Sequence, residues 1–374
     1  MGIRQLNKIL KRVAPSAIIE KSIHCYIHSK IAIDSSILIY KYRYAAQGSD
    51  DSHIYGFIQR VCFYLKRGIL PVFVFDGIPP DAKKDTLEKR VKQKSKIETR
   101  ISQLINKRDM STIVEQSVEQ SIEQSIEQSE EDYMTPLEID EEISKLRKQV
   151  TYVTKSHRQE CKYLLKLLGI PVIESSGEAE TTCAAMQKHG IVDYTFTEDT
   201  DALTFGAPKV LKTAKKMERV IEINLGVILE KMELSMDSFI DFCILCGCDY
   251  CPTIPKIGPI TALTLINKYS NIENIIENLD PKYIIPDNFD YVLARSLFKH
   301  DPLDKEHYDI SIKDIQLDKL KQFIINEKGL SDQIFDTMVN KYNKALVDYR
   351  KINKVKKQPQ QSILSFFSPP NSIK

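Results

Sequence analysis

The chain has 374 residues, 42% hydrophobic and 28% charged, which suits a soluble globular protein of one large domain or two ordinary ones. No stretch reaches the roughly 20 apolar residues of a membrane span, MGIRQLNKIL lacks the apolar core of a signal peptide, and Leu6 stands where a myristoylation motif needs Ser or Thr. The expectation is therefore a soluble, intracellular monomer, whose net charge of +2 leaves room for a basic face beside an acidic pocket.

In chain order, KIAIDSSILIY (30–40) predicts a short apolar strand, then a helix capped by Asp34 or Ser35. His53 to Lys66 has helical periodicity, and Gly68 to Phe75 is an apolar run closed by Asp76-Gly77 and Pro79-Pro80, a buried strand and turn. Residues 83–108 hold ten Lys or Arg against three acids, with no Gly or Pro. That pattern predicts a basic helix, a solvated face or a nucleic-acid contact. Residues 111–132 repeat Ser-[Val/Ile]-Glu-Gln every four positions. A helix there would stack like charges at i,i+4, so the segment reads as a flexible or marginally helical insertion.

Further on, helices over 157–168 and 178–188 alternate with strands over 170–173 and 193–197, with Gly169 and Gly190 closing the helices. Such alternation predicts a parallel sheet. Residues 236–270 read as helix, short loop, helix; 271–350 are mostly helical; 351–374 form a tail. Cys243, Cys246, Cys248 and Cys251 make C-x2-C-x-C-x2-C. A zinc site is one reading. Cysteines packed as small hydrophobes in an apolar helix are the preferred one.

The chemistry lies in where the acids fall. Asp34, Asp76, the Glu178/Glu180 pair and the Asp199/Asp201 pair each follow a predicted strand, and Asp249 lies in the loop between the two later helices. In an open parallel sheet, ligands bind beyond the C-terminal strand ends. Singly, each acid could cap a helix or shape a turn. Together they would repel one another unless a cation neutralised them. Oxygen donors without histidine favour Mg²⁺ or Mn²⁺ over zinc. Two such ions about 4 Å apart suit in-line phosphodiester displacement.

The segments MGIRQL, IAIDSSILIY, PVFVFDGIPPDAKK, VTKSHRQECKYLLKLLGIPVIESSGEAE, TEDTDALTFGAP and FCILCGCDYCPTIPKIGP resemble the flap endonuclease family of XPG-type structure-specific nucleases. The resemblance implies an α/β fold with a mostly parallel central sheet flanked by helices, a PIN-like nuclease core, with a helical arch and a helix–hairpin–helix element. It implies metal ligation by Asp34, Asp76, Glu178, Glu180, Asp199, Asp201 and Asp249, and catalytic roles for Lys83 and Arg90 at the foot of the arch. It places Gly2 and Tyr40 against DNA near the active site, and Lys256 and Gly258 against duplex backbone, where the family also holds K⁺. Gln360, Ile363, Phe366 and Phe367 follow the spacing of its sliding-clamp-binding peptide.

There are departures from the family pattern. Lys256 stands where the family hairpin usually has a glycine of positive φ, and the basic pair after it is absent, which weakens the expectation of tightly held K⁺. Ser176-Gly177 replaces the usual Pro-Ser, and the Glu-Gln repeat lengthens the arch.

The implied division is an N-terminal nuclease region (1–106), a low-complexity arch extension (107–145), an internal nuclease region (146–235), the helix–hairpin–helix (236–270), a helical part of the core (271–350) and the tail (351–374). The expected function is cleavage of 5′ flaps and nicked duplex DNA, with 5′→3′ exonuclease activity, through two Mg²⁺ that Mn²⁺ can replace. The setting is replication and repair, in a nucleus or a viral replication compartment. A sibling XPG-type enzyme (a 5′ exonuclease or a bubble- or junction-cutter), a metal-dependent RNase with a related core, and a non-catalytic clamp-bound scaffold remain as alternatives.

Overall fold

The computed structural model describes residues 2–45, 51–118, 134–150, 153–216, 218–303 and 308–355. Residues 119–132 of the repeat and the tail positions Gln360, Ile363, Phe366 and Phe367 lie outside the described residues. Among the described residues no helix is long and apolar enough to cross a membrane.

Seven strands form one sheet: β1 (Ile18–Ser22), β2 (Lys30–Asp34), β3 (Leu70–Phe75), β4 (Val172–Glu174), β5 (Tyr194–Phe196), β6 (Lys209–Thr213) and β7 (Arg219–Asn224), in the order β1-β7-β6-β5-β2-β3-β4. From β6 to β4 the pairs are parallel, and β7 joins β6 and β1 antiparallel. The sheet is thus mixed but mostly parallel. All six residues of β3 are buried, as expected of a strand covered on both faces. Period-2 alternation sorts the side chains of β2 and β3: Ile31, Ile33, Phe73 and Phe75 enter one core, while Ala32, Val72 and Val74 enter another.

Helices cover both faces. As far as residue 269 they are, in chain order, α1 (Leu6–Val13), α2 (Ser35–Ala45), α3 (Ser52–Leu65), α4 (Lys84–Val118), α5 (Pro136–Gln149), α6 (Lys155–Leu167), α7 (Ala179–Lys188), α8 (Asp201–Thr204), α9 (Leu225–Met232), α10 (Met236–Cys246) and α11 (Pro259–Tyr269). α3, α6 and the C-terminal helix Asp332–Val355 share the first core, around Phe57, Leu164 and Tyr342. α7 presents Ala179, Cys183 and Met186 to the opposite face. A third cluster joins α1, α9, α10 and α11. Each fully buried Phe, Ile or Leu contributes roughly 1.5–3 kcal/mol, and this burial holds the charged rim above it in place.

The basic helix predicted from residue 83 begins at Lys84, after a single turn at Asp81–Lys83, and runs into the repeat as far as Val118. Beside it stands α5, which the expected boundary at 145/146 divides between the low-complexity extension and the internal nuclease region. α5 opens with a capping box, Thr135 and Glu138 each accepting from the other's backbone N–H. Its apolar stripe is narrow, only Ile139, Ile143 and Leu146, and it packs on Leu104, Ile101 and Ile105 of α4. So short a stripe in polar sequence gives little periodic signal, yet against a partner helix it suffices.

Candidate catalytic site

The strand order brings the predicted acids to one rim. β2 ends on Asp34, and Asp76 follows β3 on the neighbouring strand. Glu178 occupies the residue just before α7 and Glu180 lies in the helix's first turn. Beyond β5 the chain turns through Asp199 into α8, whose first residue is Asp201. Asp249 follows α10. Asp34, Asp76, Glu178, Glu180, Asp199 and Asp249 line one cavity of about 260 Å³. Asp201, only 2% exposed, sits behind Asp199.

Local hydrogen bonds orient these carboxylates. Asp34 accepts from the Ser36 N–H at 3.0 Å and the Thr197 hydroxyl at 3.0 Å. Asp76 accepts from the Ala179 N–H at 2.9 Å, at the positive end of α7, and from the Ser36 hydroxyl. Asp199 accepts from the Thr200 N–H at 2.7 Å, and Asp201 from the Ile3 N–H at 2.7 Å. Gly2 makes that last approach possible. Its φ is +78°, and a Cβ there would lie 1.8 Å from an Asp199 oxygen. Gly2 and Ile3 therefore pack directly against the acids.

Electrostatics follow from burial. Desolvation, then the Asp76 charge, pushes Asp34 up to about 7. Burial and the surrounding acids also raise Glu180 and Asp201 well above the usual carboxylate range. Two cations from the foot of α4 reach in. Lys83 pairs with Glu178 and lies 3.4 Å from Asp249, and Arg90 donates to Asp249 at 2.7 Å. Burial pulls the Lys83 ammonium down, but Glu178, Glu180 and Asp249 outweigh it and hold it above the ordinary lysine value.

Oxygen donors alone, with no histidine or thiol in the cavity lining, suit a hard divalent cation. Among the described residues no three acids, histidines or cysteines already converge as a closed ion cage. The acids ring an open cavity, with Lys83 and Arg90 engaging Glu178 and Asp249.

Tyr40 also lines this cavity, with the Lys94 ammonium 5.7 Å from its ring centroid. Lys256 and Gly258 lie apart from it, in the turn that leads into α11. Lys256 has φ +67°, so the backbone keeps the left-handed turn without glycine. Lys256→Gly is expected to raise stability by about 0.5–1 kcal/mol, the left-handed penalty less glycine's greater freedom when unfolded. Urea midpoints measure this, and an unchanged or lower midpoint would show that the turn carries no strain.

The sequence reading missed several residues of the site. Tyr250 donates its hydroxyl to Glu178 and is itself buried. Ser36 and Thr197 hold Asp76 and Asp34. Arg158, in the first turns of α6, lines the cavity and makes no side-chain hydrogen bond or ion pair among the described residues. All four fall inside the segments that carry the family resemblance, IAIDSS, TEDTD, VTKSHRQ and CDYC, but only the folded contacts show what each one touches. Cys243 and Cys246 are buried in α10 and pack into its apolar cluster, as the packing reading has it.

A sheet edge of acids at the foot of a basic helix, with a paired helix element beside it, is the arrangement of an XPG-type nuclease. Residues 1–97 match the XPG N-terminal domain and 169–249 the XPG I-region. Flap endonuclease 1 of Glycine max is 38% identical over 390 residues, covering 99% of this chain and 91% of its own. Flap endonuclease 1 of Danio rerio is 38% identical over 349 residues, covering 89% and 84%. The chain belongs to the flap endonuclease family. Its fold is also that of the catalytic core of Rad2 in complex with DNA substrate (TM-score 0.66, 22% identity, 91% of this chain and 100% of that one). Flap endonuclease-1 from Methanococcus jannaschii shares it as well (TM-score 0.59, 24% identity, 88% and 96%). Enzymes of this family depend on divalent metal ions.

Proposed function

We infer that this chain cuts DNA 5′ flaps at single-strand/double-strand junctions, and trims 5′ ends exonucleolytically, in replication and repair. The observation that carries the reading is the gathering of acids from distant parts of the sequence around one cavity at the foot of a basic helix. Asp34, Asp76, Glu178, Glu180, Asp199, Asp201 and Asp249 would hold two Mg²⁺, or Mn²⁺. Bound ions would activate water and offset charge on the leaving oxygen.

The chain's own groups do the rest. Lys83 and Arg90 exchange their carboxylate partners for the scissile phosphate, where their charge favours the transition state. Tyr40, 36% exposed at the cavity mouth, offers a face on which a base stacks. Gly2 lets the N-terminus approach the acids closely. Lys256 and Gly258, with the amides around them, meet duplex backbone, and this turn is the place for K⁺.

Purified protein in Mg²⁺, given labelled 5′ flap, nicked duplex, bubble and four-way junction, is expected to cut the flap fastest and to stop in chelator. Preference for the four-way junction or bubble would favour a sibling enzyme. No cleavage of any substrate would leave the scaffold reading.

The tail is proposed to bind a sliding clamp through Gln360, Ile363, Phe366 and Phe367, and the basic KINKVKK segment suits a nuclear address or a contact with phosphate. Replacing Phe366 and Phe367 by Ala should abolish clamp pulldown and clamp stimulation while basal cleavage stays unchanged. Undiminished pulldown would refute the motif.

A further inference from the structure

The C-x2-C-x-C-x2-C run splits into two unlike pairs. Cys243 and Cys246 are 0% and 3% exposed within α10. Cys248 and Cys251 lie beyond the helix, partly exposed, with their sulfurs 3.9 Å apart and both thiols free. The two residues they bracket are Asp249 and Tyr250. Asp249 takes the Arg90 guanidinium at 2.7 Å and the Lys83 ammonium at 3.4 Å, and its carbonyl accepts from the Thr86 hydroxyl at 3.1 Å. Tyr250 donates to Glu178. This short turn thus ties the helix pair α10–α11 to the foot of the arch and to the acidic rim.

We propose that Cys248 and Cys251 form an oxidisable dithiol site whose disulfide switches off cleavage by shifting Asp249 and Tyr250. The oxidant is a peroxide. One sulfur attacks the O–O bond of hydrogen peroxide, which breaks to leave a sulfenic acid and one water. The second thiol displaces the hydroxyl as a second water, and the S–S bond forms. Two thiols are oxidised by two electrons in total, and the peroxide is reduced to two waters. Bonding draws the sulfurs from 3.9 Å to about 2.05 Å. The bracketed residues lie outside regular structure, so their backbone takes up this contraction. A displacement of about 1 Å at groups that position a reaction costs roughly 100-fold in rate.

The rate readout rests on the flap-cutting reading, whereas the mass readout does not. Reduced full-length protein is assayed on a labelled 5′ flap with Mg²⁺, then after hydrogen peroxide, then after dithiothreitol. The peptide holding both cysteines is weighed at each stage. The expected result is a loss of two hydrogens in that peptide, a roughly 100-fold fall in cleavage and recovery on reduction. Cys248→Ser and Cys251→Ser keep their reduced-state rate through oxidation. The proposal is overturned if the two thiols persist under peroxide, if the disulfide forms with the rate unchanged, or if both serine variants lose activity as the unaltered chain does. Failure of the reduced protein to cut any flap would count against the flap reading, while the mass readout still judges the dithiol.

Discussion

Asp201→Asn is expected to lower the cleavage rate by roughly 10³-fold, the scale of losing one preorganised stabiliser of transition-state charge, and to leave flap binding nearly unchanged. It is also expected to make the ion-free protein more stable. Asp201 is 2% exposed, and burial, then Asp199 and Asp249, raises its pKa. Folding must therefore bring a like charge into a crowded rim, or protonate it. Asparagine removes that charge and keeps an oxygen to accept the Ile3 N–H that Asp201 holds at 2.7 Å. The melting temperature in chelator should rise by about 2 °C or more, and Mg²⁺ should add less stability than it does to the unaltered chain. Single-turnover cleavage, gel-shift binding and thermal unfolding with and without Mg²⁺ measure the three quantities. Cleavage at the unaltered rate would remove Asp201 from the ion-holding set. Lowered stability would mean the carboxylate is needed for packing.

Lys83→Ala is expected to move stability the other way. Its ammonium is largely buried, with a side chain 12% exposed, and it pairs with Glu178 and Asp249. Truncation leaves those acids less compensated, so the ion-free protein should melt lower, with Mg²⁺ restoring much of the loss. Chemistry should slow by roughly 10²–10³-fold with flap affinity little changed, because the missing charge acts on the transition state. Lys83→Arg should recover only part of the rate, since a planar guanidinium does not replace a compact ammonium in this geometry. A loss confined to affinity would contradict the role. Asp201→Asn and Lys83→Ala then share an inactive phenotype but shift ion-free stability in opposite directions, which separates charge balance at the rim from general damage to the fold.

Much of this architecture was legible locally. The apolar run at 68–75 became β3 with every residue buried, because burial on both faces demands continuous hydrophobicity. The helix after KIAI begins at Ser35, with Asp34 accepting from the Ser36 N–H. Lys256, read as a departure from the family's glycine, nonetheless keeps a positive φ. The fate of α5 was not legible, because its stripe of Ile139, Ile143 and Leu146 acquires meaning only against α4. Nor was Tyr250 beside Glu178, a contact between residues 72 positions apart.

By itself, the sequence determined the period of each element and set an acid just beyond each of several strands, because hydrophobic spacing and turn residues act within a few positions. Only the tertiary structure decided that β2 lies between β5 and β3, so that those acids share one cavity. It also decided that Gly2 presses on Asp199, that Lys83 pairs with Glu178, and that four similar cysteines divide into an inert buried pair and a partly exposed one. These depend on which strands are neighbours and which helix ends meet. That choice is made by packing the whole core, and no local spacing encodes it.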